Sequence, residues 1–289
     1  MSEAWSPIER SLAVALLAVC LLCVACTSGR ATAPTSASTD SRATTSITAP
    51  LTTTTTLTTT TTALATKPAA LLTTTTVPLI TLPGGLVIQP YYEVVQAKDE
   101  VHALAAPAGA TVKTFDRLNE LRAVTTLLAV SRAPSWGAQG WYEVLLPMRP
   151  NGRKGWVSSD QVSSSLVTTA VVIQLAAHKL TLYDRGRESA TYPVGVGSAT
   201  NPTPTGSFFV TGVLKGDPSS AYGSYALGTS AFSDTLTDWP GGGVVGIHGT
   251  NDPGSVGRNV SHGCVRLRNA DITQLASAVS LGTPIFILP

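Results

Sequence analysis

The chain runs to 289 residues, with charged side chains at only 12% and a formal net charge of +2. That charge is too small to argue for a nucleic-acid surface, and no basic cluster or aromatic–basic interleaving supports one. The length allows two modest domains, but much of the N-terminal third has a composition that cannot build a core.

Residues 12–26 form an unbroken apolar run. As a helix it spans about 22 Å at ~1.5 Å per residue, short of the ~30 Å hydrocarbon core of a bilayer. It therefore reads as a signal-peptide core, and residues 1–26 are expected to direct export. Leu22, Cys23, Val24, Ala25 and Cys26, followed by Thr27 and Ser28, resemble a bacterial lipobox with Cys26 as the lipidated residue. Cys23 replaces the usual aliphatic residue, and Glu3 and Glu9 offset Arg10. Simple cleavage and retention as an uncleaved anchor both stay open. Cys20 and Cys23 would leave with the signal, so Cys264 has no intramolecular partner. An odd cysteine in an exported protein is a liability or a reactive thiol; a buried inert cysteine is the alternative.

Residues 27–85 are a Thr/Pro-rich tether with threonine runs at 52–56, 58–62 and 73–76. Such composition has too little large apolar surface to offset ordering, so no secondary structure is assigned. As a coil it averages about 40 Å end to end, and stretched as polyproline II it approaches ~180 Å. Either regime lifts a domain off a membrane, although a spacer of untuned length reads the same way. O-glycosylation stays open.

Residues 86–165 read as a small β-domain. Trp141 to Leu146 alternate as a half-buried strand, Pro150, Asn151, Gly152 and Arg153 turn, and Gly155, Trp156 and Val157 begin the next strand. This hairpin resembles the closing hairpin of bacterial Src-homology-three-like domains, which implies either a peptide- or glycan-binding barrel or a packing module. Trp136, Trp141 and Trp156 either line a groove or form the core. His102, among Val, Ala and Leu, reads as structural or exposed.

Residues 168–289 are long enough for an independent core. Strands are expected at 171–175, 179–183, 189–197, 207–212 and 283–288, with His178 exposed and uninvolved at the first turn. Residues 201–206 (N-P-T-P-T-G) form a rigid turn cluster. The segment 214–243 is polar, glycine-punctuated and dotted with Tyr222, Tyr225, Phe232 and Trp239. Asn269 is the expected N-cap of a helix with Asp271 in its first turn, Ile272, Leu275 and Val279 on its apolar face, and Gly282 after its end.

The chemistry concentrates at residues 246–269, G-I-H-G-T-N-D-P-G-S-V-G-R-N-V-S-H-G-C-V-R-L-R-N. Its glycines forbid one regular element. Val244, Val245 and Ile247 suggest a strand delivering His248, and the loop then returns to bring Cys264 near it. A thiol and an imidazole converging on a glycine-rich loop suit nucleophilic acyl transfer.

His248, Ser261, His262, Gly263 and Cys264 closely resemble the signature of the L,D-transpeptidases (YkuD type) of bacterial cell walls. The run from Gly195 to Phe208 is similar to a second pattern of that family, G-x-G…T-P-x-G-x-F. The two resemblances together imply a mostly β chain: a small Src-homology-three-like β-barrel, then a β-rich L,D-transpeptidase β-sandwich domain with a short C-terminal helix. The L,D-transpeptidase resemblance implies Cys264 as nucleophile and His248 as base, the ring held by the Gly249 carbonyl, with His262 flanking. Backbone N–H groups of Gly263 and Cys264 would hold an oxyanion. Ser261 and Arg266 would contact substrate; Arg268 reads as surface solvation and Asp252 as a turn residue.

The implied function is a cell-wall L,D-transpeptidase that cross-links peptidoglycan through a cysteine thioester on tetrapeptide stems. The implied partners are stem peptides, the cell wall and, through the N-terminal anchor, the membrane. The implied state is an extracytoplasmic monomer with no metal or other cofactor. An L,D-carboxypeptidase using water, a non-catalytic wall-binding protein, and a zinc site of His248, His262 and Cys264 are the alternatives.

Overall fold

The computed structural model describes residues 54–56, 78–136, 139–237 and 242–289. The expected export segment with Cys26 lies outside them, as does most of the threonine-rich stretch. Among the described residues no helix is long and apolar enough to cross a membrane.

Part of the expected tether is ordered. β1 (Thr54–Thr56) pairs antiparallel with β2 (Pro78–Thr81), and β2 with β3 (Val87–Ile88). The expectation of no secondary structure across residues 27–85 fails here for a local reason. Leu79 is buried, and Ile80 packs against the cluster of Ile88, Val172 and Phe286. Threonine's β-branch also suits extended backbone.

Next come β4 (Tyr92–Ala97), β5 (Val101–Leu104), β6 (Thr111–Phe115), β7 (Thr126–Trp136), β8 (Gln139–Leu145), β9 (Lys154–Ser158) and β10 (Val162–Val167). They form a seven-stranded antiparallel sheet in the order β10-β4-β7-β8-β9-β5-β6. The expected hairpin is β8 and β9, with Trp141 opposite Ser158 and Val144 opposite Gly155. Val95, Val101, Val144 and Val157 are fully buried in its core. Trp141 is buried too, which places it in the packed interior and not in an open groove. His102 Nε2 lies 3.2 Å from Glu100.

The C-terminal part contains β11 (Thr169–Gln174), β12 (Lys179–Asp184), β13 (Arg187–Pro193), β14 (Val196–Gly197), β15 (Gly206–Lys215) and β16 (Tyr225–Thr229). These are followed by β17 (Ile247–His248), β18 (Asn259–Ser261), β19 (Val265–Arg266), the helix α1 (Asn269–Ala278) and β20 (Pro284–Leu288). Eight strands make one mixed sheet that curls into a half-barrel, ordered β13-β12-β11-β20-β15-β16-β17-β19; β14 and β18 pair separately. The chain is thus mostly β with one short C-terminal helix among its described residues.

Burial on both faces explains why β11 reads as a continuous apolar run. Val171 and Ile173 enter the main core, while Ala170 and Val172 pack with Ile88, Tyr183 and Phe286. β20 lies parallel to β11 and divides its side chains the same way, Ile285 and Ile287 to one face and Phe286 to the other. The helix buries Ile272 and Leu275 as its spacing requires, and Val279, the residue that ends it, is buried beside them. Its start differs from expectation. Arg268 occupies the cap position without a side-chain bond, and Asn269 is the first helical residue. The Asn269 amide is used elsewhere, on the segment before β16.

The two sheets share contacts. Phe209 of β15 is fully buried within the core of the seven-stranded sheet, and Asn119 Nδ2 donates to the Thr211 carbonyl at 2.7 Å.

Candidate active site

β17 and β19 are parallel neighbours, with Ile247 opposite Val265 and His248 opposite Arg266. The Val265 N–H donates to the Gly246 carbonyl at 2.9 Å and the Leu267 N–H to the His248 carbonyl at 2.8 Å, extending the pair in both directions. Side chains alternate across such a ladder. Ile247, Val265 and Leu267 are essentially fully buried in the core, so His248, Cys264 and Arg266 share the opposite face. Residues far apart in the loop sequence are brought together by this one pairing.

Cys264 is a free thiol that keeps some contact with solvent. The Gly246 N–H points at its Sγ, 3.4 Å away. Burial pushes the thiol's pKa up, while the Gly246 N–H and the Arg266 charge pull it back. His248 is 5% exposed. Its pKa falls to about 4, chiefly because burial disfavours the imidazolium; the Gly249 carbonyl opposes this, and the Arg266 charge adds a smaller lowering. Both partners are therefore neutral near pH 7. His248 Nδ1 lies 2.6 Å from the Gly249 oxygen. A carbonyl only accepts, so Nδ1 carries the proton and Nε2 is the free base.

The loop that presents Cys264 is fastened from within. Ser261, expected to contact substrate, is 2% exposed and faces inward. Its hydroxyl donates to the Cys264 carbonyl at 2.6 Å and accepts from the Gly263 N–H at 3.1 Å. Gly263 sits at φ +114°, a conformation that side-chain-bearing residues rarely adopt. The Gly263 carbonyl accepts from Thr203 Oγ1 at 2.8 Å, and Thr203 Oγ1 accepts from the Gly197 N–H at 2.8 Å. Gly195 exchanges two backbone hydrogen bonds with Arg266, each 2.8 Å. The glycine- and proline-rich run from Gly195 to Phe208 thus reaches the site through backbone bonds and the buried Thr203. Thr203 had not been singled out from sequence; the T-P-x-G pattern around it was the available signal.

Tyr222 was also not assigned. Its ring centroid lies 4.9 Å from that of His248, tilted by 56°. It is held there by Asn269, whose Oδ1 accepts from the Ser224 N–H at 3.0 Å and whose Nδ2 donates to the Pro218 carbonyl at 2.9 Å. Gly223 and Gly249 meet the Asn269 side chain so closely that an added Cβ on either would collide with it. The polar segment before β16 is thereby strapped over the imidazole.

The remaining expected residues separate. Arg266 is partly buried, and its Nε is buried with no hydrogen-bond partner among the described residues. His262 and Arg268 are exposed. Asp252 is a turn residue, its carbonyl accepting from Ser255. His178 Nε2 lies 2.5 Å from Asn259 Oδ1 on the strand leading to Ser261. Among the described residues no three His, Cys, Asp or Glu side chains stand together as a metal-binding group, so the zinc arrangement of His248, His262 and Cys264 is not assembled.

Residues 168–287 match the family model of the L,D-transpeptidase catalytic domain, YkuD. L,D-transpeptidase YkuD of Bacillus licheniformis is 33% identical over 154 residues, which cover 51% of this chain and 86% of that protein. The chain belongs to the L,D-transpeptidase (YkuD) family. YkuD of Bacillus subtilis is 37% identical over 117 residues, 40% of this chain and 64% of that protein. A solved L,D-transpeptidase from Mycobacterium smegmatis aligns over 56% of this chain and 99% of that one, at 19% identity and a TM-score of 0.35. The L,D-transpeptidase match begins just before β11 and spans His248, Ser261, Cys264 and Arg266.

Proposed function

We propose that this L,D-transpeptidase-family chain cross-links peptidoglycan through a thioester on Cys264. The observation that carries the reading is the β17–β19 pairing, which sets Cys264, His248 and Arg266 on one face with the imidazole's Nδ1 engaged by Gly249. Family membership implies peptidoglycan as substrate and a site of action outside the cytoplasm.

The chemistry follows from the protonation states. A neutral thiol is a poor nucleophile until its proton leaves. His248 Nε2 takes that proton as Sγ attacks the carbonyl carbon between an L-centre and the terminal D-residue of a tetrapeptide stem. Collapse of the tetrahedral intermediate breaks the C–N bond. The imidazolium returns the proton to the leaving amine, and a thioester remains. An amine from a neighbouring stem then gives a proton to His248 and attacks the thioester; the C–S bond breaks and the thiol regains its proton. Of the two amides expected to hold the oxyanion, that of Gly263 is engaged by Ser261 Oγ. The Cys264 N–H is therefore the proposed donor.

Arg266, with its unpartnered buried Nε, is proposed to meet a stem carboxylate. His262 is proposed to border the donor stem from the exposed side of the loop. Residues 86–165 are proposed to be a Src-homology-three-like module on the strength of the β8–β9 hairpin, and residues 1–26 to export and anchor a monomeric enzyme, with Cys26 as the lipid site.

Intact-protein mass spectrometry of the full chain with a disaccharide-tetrapeptide tests the reading. The expected result is a tripeptide-stem thioester on wild type, absent in Cys264→Ala, followed by dimeric muropeptide. Trimmed monomer alone makes the enzyme an L,D-carboxypeptidase. Absence of any adduct while wall binding persists removes the enzymatic reading.

A further inference from the structure

The turn between β8 and β9 reaches out of the seven-stranded sheet and grips the segment that feeds the active site. Asn151 grips the Phe232 peptide at both ends: Nδ2 donates to the Phe232 carbonyl at 2.7 Å, and Oδ1 accepts from the Phe232 N–H at 2.9 Å. A side-chain amide used this way imitates a strand partner. Arg149 Nη1 donates to the Gly242 carbonyl at 2.8 Å and Nη2 to the Ser233 carbonyl at 2.9 Å. Its guanidinium also lies over the Phe232 ring, 4.8 Å from the centroid. These bonds clamp both edges of one ribbon, since Phe232 bridges Val244 and the Ser233 N–H donates to the Gly243 carbonyl.

The ribbon continues directly into the catalytic strand. The Val245 N–H donates to the Ala231 carbonyl at 2.9 Å, and Thr229 Oγ1 donates to the Val245 carbonyl. The next residue, Gly246, aims its N–H at Cys264 Sγ, and His248 follows on β17. Thr235 Oγ1 meanwhile donates to Asn201 Oδ1 at 3.1 Å, linking the same ribbon to the turn that carries Thr203. A shift at Phe232 or Gly242 is therefore transmitted along hydrogen-bonded backbone to the amide facing the thiol.

We propose that Arg149 and Asn151 are positioning residues of the catalytic centre, through which the N-terminal β-domain holds the Gly246 amide on the Cys264 thiol. The proposal rests on Cys264 being the nucleophile, and it gives the N-terminal domain a task that needs no ligand of its own. Neither residue touches the reacting atoms; both act through the ribbon.

The test uses the full chain and two readouts. The first is the pH dependence of iodoacetamide alkylation of Cys264, which needs no substrate. The second is the rate and concentration dependence of acyl-enzyme formation with a tetrapeptide stem. Asn151→Ala and Arg149→Ala are expected to move the alkylation inflection to higher pH, because the amide that favours the thiolate is lost. They are expected to slow acylation at saturating stem by about tenfold or more, with little change in half-saturation, as misplacement of reacting groups does. Arg149→Lys keeps the charge but cannot bridge two carbonyls as a planar fork does, and is expected to recover less than half of the effect.

Variants with an unmoved alkylation profile and unchanged acylation, whatever their melting temperature, overturn the proposal. If the alanine variants fail to fold, Arg149→Lys and Asn151→Asp carry the same comparison. A shifted alkylation profile in a chain that forms no acyl-enzyme upholds the positioning and removes the transpeptidase reading instead.

Discussion

His248 Nδ1 sits 2.6 Å from the carbonyl oxygen of Gly249, the next residue in the chain. This short bond fixes the tautomer; among the described residues no carboxylate is seen to pair with the imidazole, so the imidazolium lacks the support an aspartate would give. Burial and Arg266 then hold the pKa at about 4. The sign is direct: as the proposed base, His248 is active when deprotonated, so it is available above its pKa and lost below it. The acid limb of kcat/KM for acylation is expected near pH 4 and not near the ordinary histidine value of about 6.5. A pH profile of thioester formation by mass spectrometry checks it, and a limb at 6 or above contradicts it.

Arg266 lowers the pKa of both His248 and Cys264. Arg266→Met removes the charge while keeping much of the apolar stem. Both titrations are expected to move to higher pH, the histidine limb in the acylation profile and the thiol inflection in alkylation. Movement of only one shows that Arg266 faces one group and not both.

Tyr222 covers the His248 ring. Tyr222→Ala opens that side to water and relieves the burial that is the main cause of the low pKa. The acid limb is expected to climb from about 4 toward the ordinary value, while Tyr222→Phe leaves it in place. An acid limb that stays near 4 in Tyr222→Ala removes Tyr222 from the account of His248.

Thr203 bonds to the Gly263 carbonyl and the Gly197 N–H, both inside the fold. Thr203→Val keeps the shape and removes both bonds, leaving two buried backbone groups unpaired. The expected cost is about 1–3 kcal/mol of stability, together with slower acylation because Gly263 adjoins Cys264, the proposed nucleophile. Thermal unfolding and single-turnover acylation measure the two effects separately.

The sequence by itself singled out the residues proposed to carry the chemistry. Cys264 stood out as an unpaired thiol in a chain expected to be exported, and His248, Ser261, His262 and Gly263 stood at telling positions around it. Gly263 was required by a backbone angle that only glycine takes comfortably, which is a local property legible in the string. Alternation likewise announced β8 and β9, and the helical spacing of Ile272, Leu275 and Val279 announced α1.

Tertiary structure decided what those residues experience. Asn269 looked like a cap, yet its amide straps Pro218 and Ser224, partners from another part of the chain. Ser261 looked like a substrate contact, yet its hydroxyl is bonded within its own loop. The neutral state of His248 comes from burial and from Arg266 across a strand pair, neither of which follows from spacing. Local signals fix residue type and backbone angle, whereas burial and charge are set by neighbours brought together only when the sheet forms.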